Sequence, residues 1–207
     1  MISKLHYITQ DLAHKTHAEQ TEAACAGGVD WVQLRVKNQT DERVLEIALE
    51  VKRICDAHGA TLIINDRVRV AKEVGAHGVH LGKTDMPSKE ARRVLGAGFI
   101  IGGTANTLDD IRALEQAGVD YIGLGPFRFT ETKKNLSPVL GLEGYRNILG
   151  GGVSVPVVAI GGIKHGDITA VMEAGPHGVA LSSLINLAEN PSASAKKVLD
   201  ILAGKTA

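Results

Sequence analysis

Aromatic residues are scarce, at 3% of the chain. That leaves little for the stacking platforms on which single-stranded nucleic acids lie. Net charge is absent as well: 23 Lys and Arg balance 23 Asp and Glu. No broad basic field is available to hold a phosphate backbone, so a nucleic-acid partner is not expected. Cysteine is limited to Cys25 and Cys55, neither in a C-x-x-C or Cys/His cluster. A structural zinc site is therefore not expected, and both thiols read as reduced and packed. Long apolar runs are missing too. The uncharged stretch 148–163 is too short and too glycine-rich to span a bilayer. The first residues carry no signal-peptide core, so the expected location is the cytoplasm, with no membrane partner.

What is present is a core-forming composition, 44% hydrophobic and 22% charged, with 24 glycines in no fibrous period. A chain of 207 residues suits one domain at roughly 150 residues per domain. We read residues 1–207 as that single domain. Eight short apolar runs punctuate it: Leu5-His6-Tyr7-Ile8, Trp31-Val32-Gln33-Leu34-Arg35, Leu62-Ile63-Ile64-Asn65, Gly78-Val79-His80-Leu81, Phe99-Ile100-Ile101-Gly102, Tyr121-Ile122-Gly123-Leu124, Val157-Val158-Ala159-Ile160 and Val179-Ala180-Leu181. Helical patterns lie between them. Asp41 to His58 puts Val44, Leu45, Ala48, Val51 and Ile54 on one face. Thr107 reads as an N-cap, with Asp109 and Asp110 in the first turn and Gly118 closing the helix. Further helices are expected over 142–149, 165–174 and 192–202. Strands alternating with helices imply parallel βα units.

A repeat sharpens this. Ala26-Gly27-Gly28-Val29-Asp30-Trp31 resembles Ala117-Gly118-Val119-Asp120-Tyr121, and Val74-Gly75-Ala76-His77-Gly78-Val79 resembles Ala174-Gly175-Pro176-His177-Gly178-Val179. The unit precedes every second strand. That periodicity favours a closed (β/α)8 TIM barrel over an open sheet.

Chemistry should then sit where strands run out into βα loops. Alternation places Gln33, Arg35 and Lys37 on the face of the barrel mouth, where unpaired cations are costly unless an anion meets them. Asp66 and Asp85 follow strands three and four. They could share a hard divalent cation such as Mg2+, or cap the helices that follow them. After strand six, Thr130-Glu131-Thr132-Lys133-Lys134 lies in a long irregular loop suited to an anionic substrate. Gly161-Gly162 after strand seven and Ser182-Ser183 after strand eight fit a phosphate monoester, with a short helix start adding donors. The histidines, His6 and His80 included, read as packed or hydrogen-bonded neutral rings.

In this order, the motifs resemble those of the thiamine-phosphate synthase family over nearly the whole chain. They are Gln33-Leu34-Arg35-Val36-Lys37, Asn65-Asp66, Gly78-Val79-His80-Leu81-Gly82 through Asp85, Gly123-Leu124-Gly125-Pro126-Phe127, the Thr130 to Lys134 stretch, Ile160-Gly161-Gly162-Ile163 and Gly178-Val179-Ala180-Leu181-Ser182-Ser183. The family joins a hydroxymethylpyrimidine diphosphate to a hydroxyethylthiazole phosphate, releasing pyrophosphate. The resemblance implies that Gln33, Leu34, Arg35, Val36, Lys37 and Asn65 bind the pyrimidine diphosphate, together with Thr104 and Lys133. It implies Mg2+ as cofactor, on Asp66 and Asp85. It gives Arg35, Lys37 and Lys133 the catalytic task of stabilising the leaving group. Thr130, Glu131, Thr132, Gly162, Ser182 and Ser183 would hold the thiazole phosphate. The implied partners are these small molecules, and a homo-oligomer is compatible with the sequence.

The chain departs from the family pattern at Thr104 (usually Ser), Asn106 (often His), Lys83 (often Gln), Val36 (usually charged) and Phe129 (usually Pro). Three other readings bear weighing. A related thiazole tautomerase should lack the aspartate set and the Thr130 to Lys134 stretch. A sugar-phosphate isomerase would want an acid and a base in the mouth. A precursor-binding protein would release no pyrophosphate.

Overall fold

The computed structural model describes residues 1–129 and 138–205. Eight strands, β1 (Leu5–Ile8), β2 (Trp31–Leu34), β3 (Thr61–Asn65), β4 (Gly78–Leu81), β5 (Ile100–Ala105), β6 (Tyr121–Leu124), β7 (Val157–Ile160) and β8 (Gly178–Leu181), close into a barrel in sequence order. Every neighbouring pair is parallel, and β1 closes the ring against β8 through Leu5 opposite Val179 and Tyr7 opposite Leu181. The helices are α1 (His17–Ala26), α2 (Asp41–His58), α3 (Val68–Glu73), α4 (Ser88–Leu95), α5 (Leu108–Ala117), α6 (Gly141–Leu149), α7 (Ile168–Glu173), α8 (Ser183–Asn186) and α9 (Pro191–Leu202). This is a single-domain (β/α)8 TIM barrel, as the alternation of apolar runs and helical patterns predicts.

Local chemistry explains the helix ends. Thr16 and Glu19 form a capping box on α1, and Thr107 with Asp110 forms one on α5. Gly118 ends α5 at φ 74° and Gly59 ends α2 at φ 66°, the left-handed conformation that costs glycine least. Asn190 caps α9, with Pro191 in its first turn.

Two layers of core follow from the alternation of strand side chains. Outward residues such as Val32, Leu34, Leu62, Ile64, Val79 and Leu81 pack against the helices, where Cys25 and Cys55 are also buried. Burial pushes the Cys25 thiol up to about 11 and the Cys55 thiol up to about 12. Both stay protonated and unreactive. Inward residues fill the lumen: His6 stacks on Trp31 at 4.4 Å between ring centroids, and Tyr121 meets both rings edge-on. The Tyr121 ring fits because its neighbour on β5 is Gly102; a Cβ there would lie 2.2 Å from Tyr121 Cζ.

That glycine also corrects a boundary. The run at Phe99 to Gly102 continues as strand to Ala105, because Gly102 and Gly103 here make room, for Tyr121 inside and Leu114 outside, rather than a turn. The helix expected over 165–174 is split into a 3-10 turn, His165–Asp167, and α7. Asp167 is committed to Lys164 N–H at 2.8 Å and to the Arg128 guanidinium at 2.7 and 3.0 Å.

Candidate active site

The C-terminal ends of the strands open into one cavity of about 570 Å³. Gln33, Arg35 and Lys37 enter it from β2 and its continuation, and Asn65 and Asp66 from the end of β3. His80 lies beside Lys83, Thr84 and Asp85 of the following loop. Thr104 comes from β5 and Asn106 from just beyond its end. Gly161 and Gly162 follow β7, and Ser182 and Ser183 follow β8. The structure thus brings together Gln33, Arg35, Lys37, Asn65, Asp66, Asp85, Thr104, Gly162, Ser182 and Ser183. Leu34 and Val36 do not line it. Their side chains are buried in the outer core, since alternation turns them away from the mouth. A ligand could meet only their backbone. Thr130, Glu131, Thr132 and Lys133 lie outside the described residues.

The two aspartates form the electrostatic centre of one end. Asp66 adopts φ 64°, a left-handed conformation that aspartate tolerates better than most side chains. Its carboxylate pairs with the Lys37 ammonium and shares a hydrogen bond with Asp85. Asp85 in turn accepts the Gly82 N–H at 2.6 Å. Burial alone would raise the Asp66 pKa, but the bonds from Asp85 and Lys37 outweigh it and hold this carboxyl below its ordinary range. Burial and then the hydrogen bond with Asp66 push Asp85 the other way. The two carboxyls thus titrate apart, Asp66 ionising before Asp85. Neither residue serves as a helix cap: the residues capping α3 and α4 are Arg67 and Pro87, and neither makes a side-chain cap bond.

No group of three metal-binding side chains occurs among the described residues. Two adjacent carboxyls nevertheless fit a hard cation that takes its remaining ligands from water and substrate phosphate, which is the habit of Mg2+.

A hydrogen-bonded chain behind β2 fixes the two cations. Asp11 can only accept, so its 3.1 Å contact assigns the proton to His17 Nε2. Nδ1 then accepts from the Thr9 hydroxyl at 2.8 Å. Thr9 Oγ1 accepts the Arg35 N–H, and the second Asp11 oxygen accepts the Lys37 N–H, both at 3.1 Å. Burial lowers the His17 pKa despite Asp11, which keeps the ring neutral as this chain requires. The backbone of Arg35 and Lys37 is thereby held while both side chains face the cavity.

A second chain runs along the cavity floor. Nδ1 of His80 is 3.0 Å from the Tyr121 hydroxyl, and its Nε2 is 3.0 Å from Thr104 Oγ1. His80 is hydrogen-bonded, as expected, but it belongs to the site. Lys83 is ion-paired with Asp110 at 2.6 Å, which ties the loop carrying Asp85 to the capping box of α5. Asn106 donates to the Gly125 carbonyl at 2.5 Å.

Across the ring, Gly161 and Gly162 take φ 103° and 71°. Arg128 binds the Gly162 carbonyl at 3.0 Å and bridges to Asp167. Helix α8 is a single turn of four residues, too short for a useful macrodipole. Ser182 and Ser183 therefore matter chiefly through hydroxyl and local N–H groups.

Residues 5–185 match the family model of thiamine monophosphate synthase. The chain belongs to that family. A thiamine-phosphate synthase of Bacteroides fragilis is 51% identical over 201 residues, covering 95% of this chain and 98% of the relative. One from Methanocella arvoryzae is 42% identical over 187 residues, covering 90% of this chain and 88% of the relative. Among solved structures, thiamine phosphate pyrophosphorylase from Pyrococcus furiosus superposes with a TM-score of 0.88 at 33% identity, covering 99% of this chain and 97% of that one. No helix among the described residues is long and apolar enough to cross a membrane.

Proposed function

We propose that this chain is a thiamine-phosphate synthase, a transferase that joins hydroxymethylpyrimidine diphosphate to hydroxyethylthiazole phosphate and releases pyrophosphate. The observation that carries the proposal is the division of one cavity. Arg35, Lys37, Asp66 and Asp85 gather at one end, while Gly162, Ser182 and Ser183 lie across the ring. In this reading the first group would seat the diphosphate and the second the phosphate monoester.

In this reading the CH2–O bond of the pyrimidine diphosphate breaks and its electron pair leaves with the diphosphate. The cation is delocalised into the aminopyrimidine ring. Arg35 and Lys37 offset the charge that grows on the leaving group, and the resemblance adds Lys133 to them. Asp66 and Asp85 would hold Mg2+, which supplies further positive charge to the diphosphate oxygens when bound. The thiazole nitrogen then forms the new N–CH2 bond with its own lone pair. That nitrogen carries no proton, so no strong base is required. Gln33, Asn65 and Thr104 orient the pyrimidine, and the anchored phosphate tail orients the thiazole. We place this chemistry in the cytoplasm, among phosphorylated metabolites.

The test is pyrophosphate release by the purified chain with Mg2+. Release that requires both substrates together is expected. Isomerisation of a thiazole phosphate without pyrophosphate would move the chain to the tautomerases. Binding of both compounds without turnover would make it a carrier.

A further inference from the structure

The two serines of the thiazole-phosphate seat point their protons away from the phosphate they are meant to bind. Ser182 Oγ donates to Gln10 Oε1 at 3.0 Å, and Ser183 Oγ donates to the same oxygen at 3.2 Å. A phosphate oxygen needs those protons. The surroundings show which group can change. Asn186 is held in one orientation: its Oδ1 accepts from the Tyr7 hydroxyl, and its Nδ2 donates to the Ile8 carbonyl at 2.9 Å and to Ser182 Oγ at 3.3 Å. Ser182 therefore already has one donor directed at it. The Gln10 backbone is fixed on both sides by the Gln20 amide, which accepts the Gln10 N–H at 3.0 Å and donates to its carbonyl at 2.8 Å. What remains adjustable in buried Gln10 is its terminal amide torsion, a soft rotation with two opposed settings.

We infer that Gln10 is a positioning residue for the phosphate seat, and that its amide turns over when phosphate binds. With Nε2 where Oε1 stood, the amide donates to the serine oxygens, and both hydroxyl protons turn toward the phosphate. In the arrangement described here Gln10 instead withholds them. No proton is transferred; two hydrogen bonds reverse direction. The inference rests on the proposed function for the identity of the ligand, and it goes beyond it in giving a buried loop residue control over that subsite.

The experiment uses the full chain labelled with 15N. The Gln10 side-chain NH2 signal is assigned by its loss in Gln10→Glu. Thiazole phosphate should shift this signal and slow its proton exchange, and pyrimidine diphosphate with Mg2+ should leave it in place. In calorimetric titration, Gln10→Glu can only accept from the serines and should weaken thiazole phosphate by at least roughly thirtyfold. Gln10→Met neither withholds nor directs the protons and should weaken it by roughly threefold or less, since local donors remain. Pyrimidine diphosphate affinity should stay within about twofold in both variants. These contrasts are not what misfolding would give, and circular dichroism of both variants serves as control. An unmoved Gln10 signal in wild-type protein that binds thiazole phosphate would overturn the inference and leave the proposed function standing. Equal losses in both variants would also overturn it. Failure of the wild type to bind thiazole phosphate at all would instead count against the proposed function.

Discussion

Single side chains in this barrel act through the hydrogen bonds they are permitted. Asp66 and Asp85 are hydrogen-bonded to each other, and burial with that contact raises Asp85 above the ordinary carboxylate range. Mg2+ should favour the form in which both are ionised. We predict that Mg2+ at about ten times its dissociation constant raises the melting temperature of the wild type by about 3–6 °C at pH 7. Asp85→Asn should stay folded and lose the shift. The sign with pH follows from the two carboxyls. Asp85, raised in the fold, favours the metal-free barrel at low pH, and that contribution fades as pH rises through its folded value. The Mg2+ shift should therefore shrink on acidification into the carboxylate range. A shift of equal size in Asp85→Asn would remove the cation from this pair. The chain from Asp11 through His17 to Thr9 makes a second prediction. His17→Ala should lower kcat/KM for the pyrimidine diphosphate by roughly tenfold, about 1.4 kcal/mol of transition-state stabilisation, with the KM for thiazole phosphate unchanged. A loss shared equally by both substrates would mean that His17 serves the fold and not the cations.

At the scale of elements, residues 125–129 after β6 and the loop after β7 are held by geometry more than by sequence motif. Gly162 sits at φ 71°, and a Cβ there would approach Arg128 Cβ to 3.0 Å and the Phe129 carbonyl oxygen to 3.1 Å. Gly162→Ala should cost about 1–2 kcal/mol in urea unfolding through the left-handed backbone alone. It should also raise the KM for thiazole phosphate while sparing the pyrimidine diphosphate. A raised diphosphate KM would show that the two seats have been assigned to the wrong ends. Strand periodicity made the mouth-facing set Gln33, Arg35 and Lys37 legible in the sequence, and the strand ends made Asp66 and Asp85 legible. The same alternation, applied strictly, would have turned Leu34 and Val36 outward. His80 could have been found from its place two residues after the inward Gly78. His17 and Gln10 could not. His17 acts through Thr9 and Asp11, whose partners Arg35 and Lys37 are 26 residues further along the chain, and Gln10's partners Ser182 and Ser183 are 172 and 173 residues away. Such pairings exist only once the ring has closed.

The whole molecule depends on that closure, because the lumen is filled by rings from distant strands and one of them is ionisable. His6 lies between Trp31 and Tyr121, with its Nε2 buried and without a hydrogen-bond partner among the described residues. Burial, and then repulsion from His80, lower its pKa from 6.5 to about 3. The unfolded chain takes up a proton at this residue below about pH 6.5, and the folded barrel refuses it until about pH 3. Its contribution to stability is therefore fully present above pH 6.5 and is progressively lost as pH falls toward 3. One such proton weakens the fold by up to about 1.4 kcal/mol per pH unit. His6→Phe keeps a ring in the stack and removes the titration. We predict that urea unfolding free energies measured between about pH 6 and pH 5 fall more steeply in the wild type than in His6→Phe. The difference in slope should approach the value for one proton. Carboxylates and the histidines with no charge interaction with His6 titrate alike in both proteins, so their contributions cancel in the difference. Equal slopes would mean that the closed barrel admits the proton, and that its lumen is wetter than this packing of His6, Trp31 and Tyr121 allows.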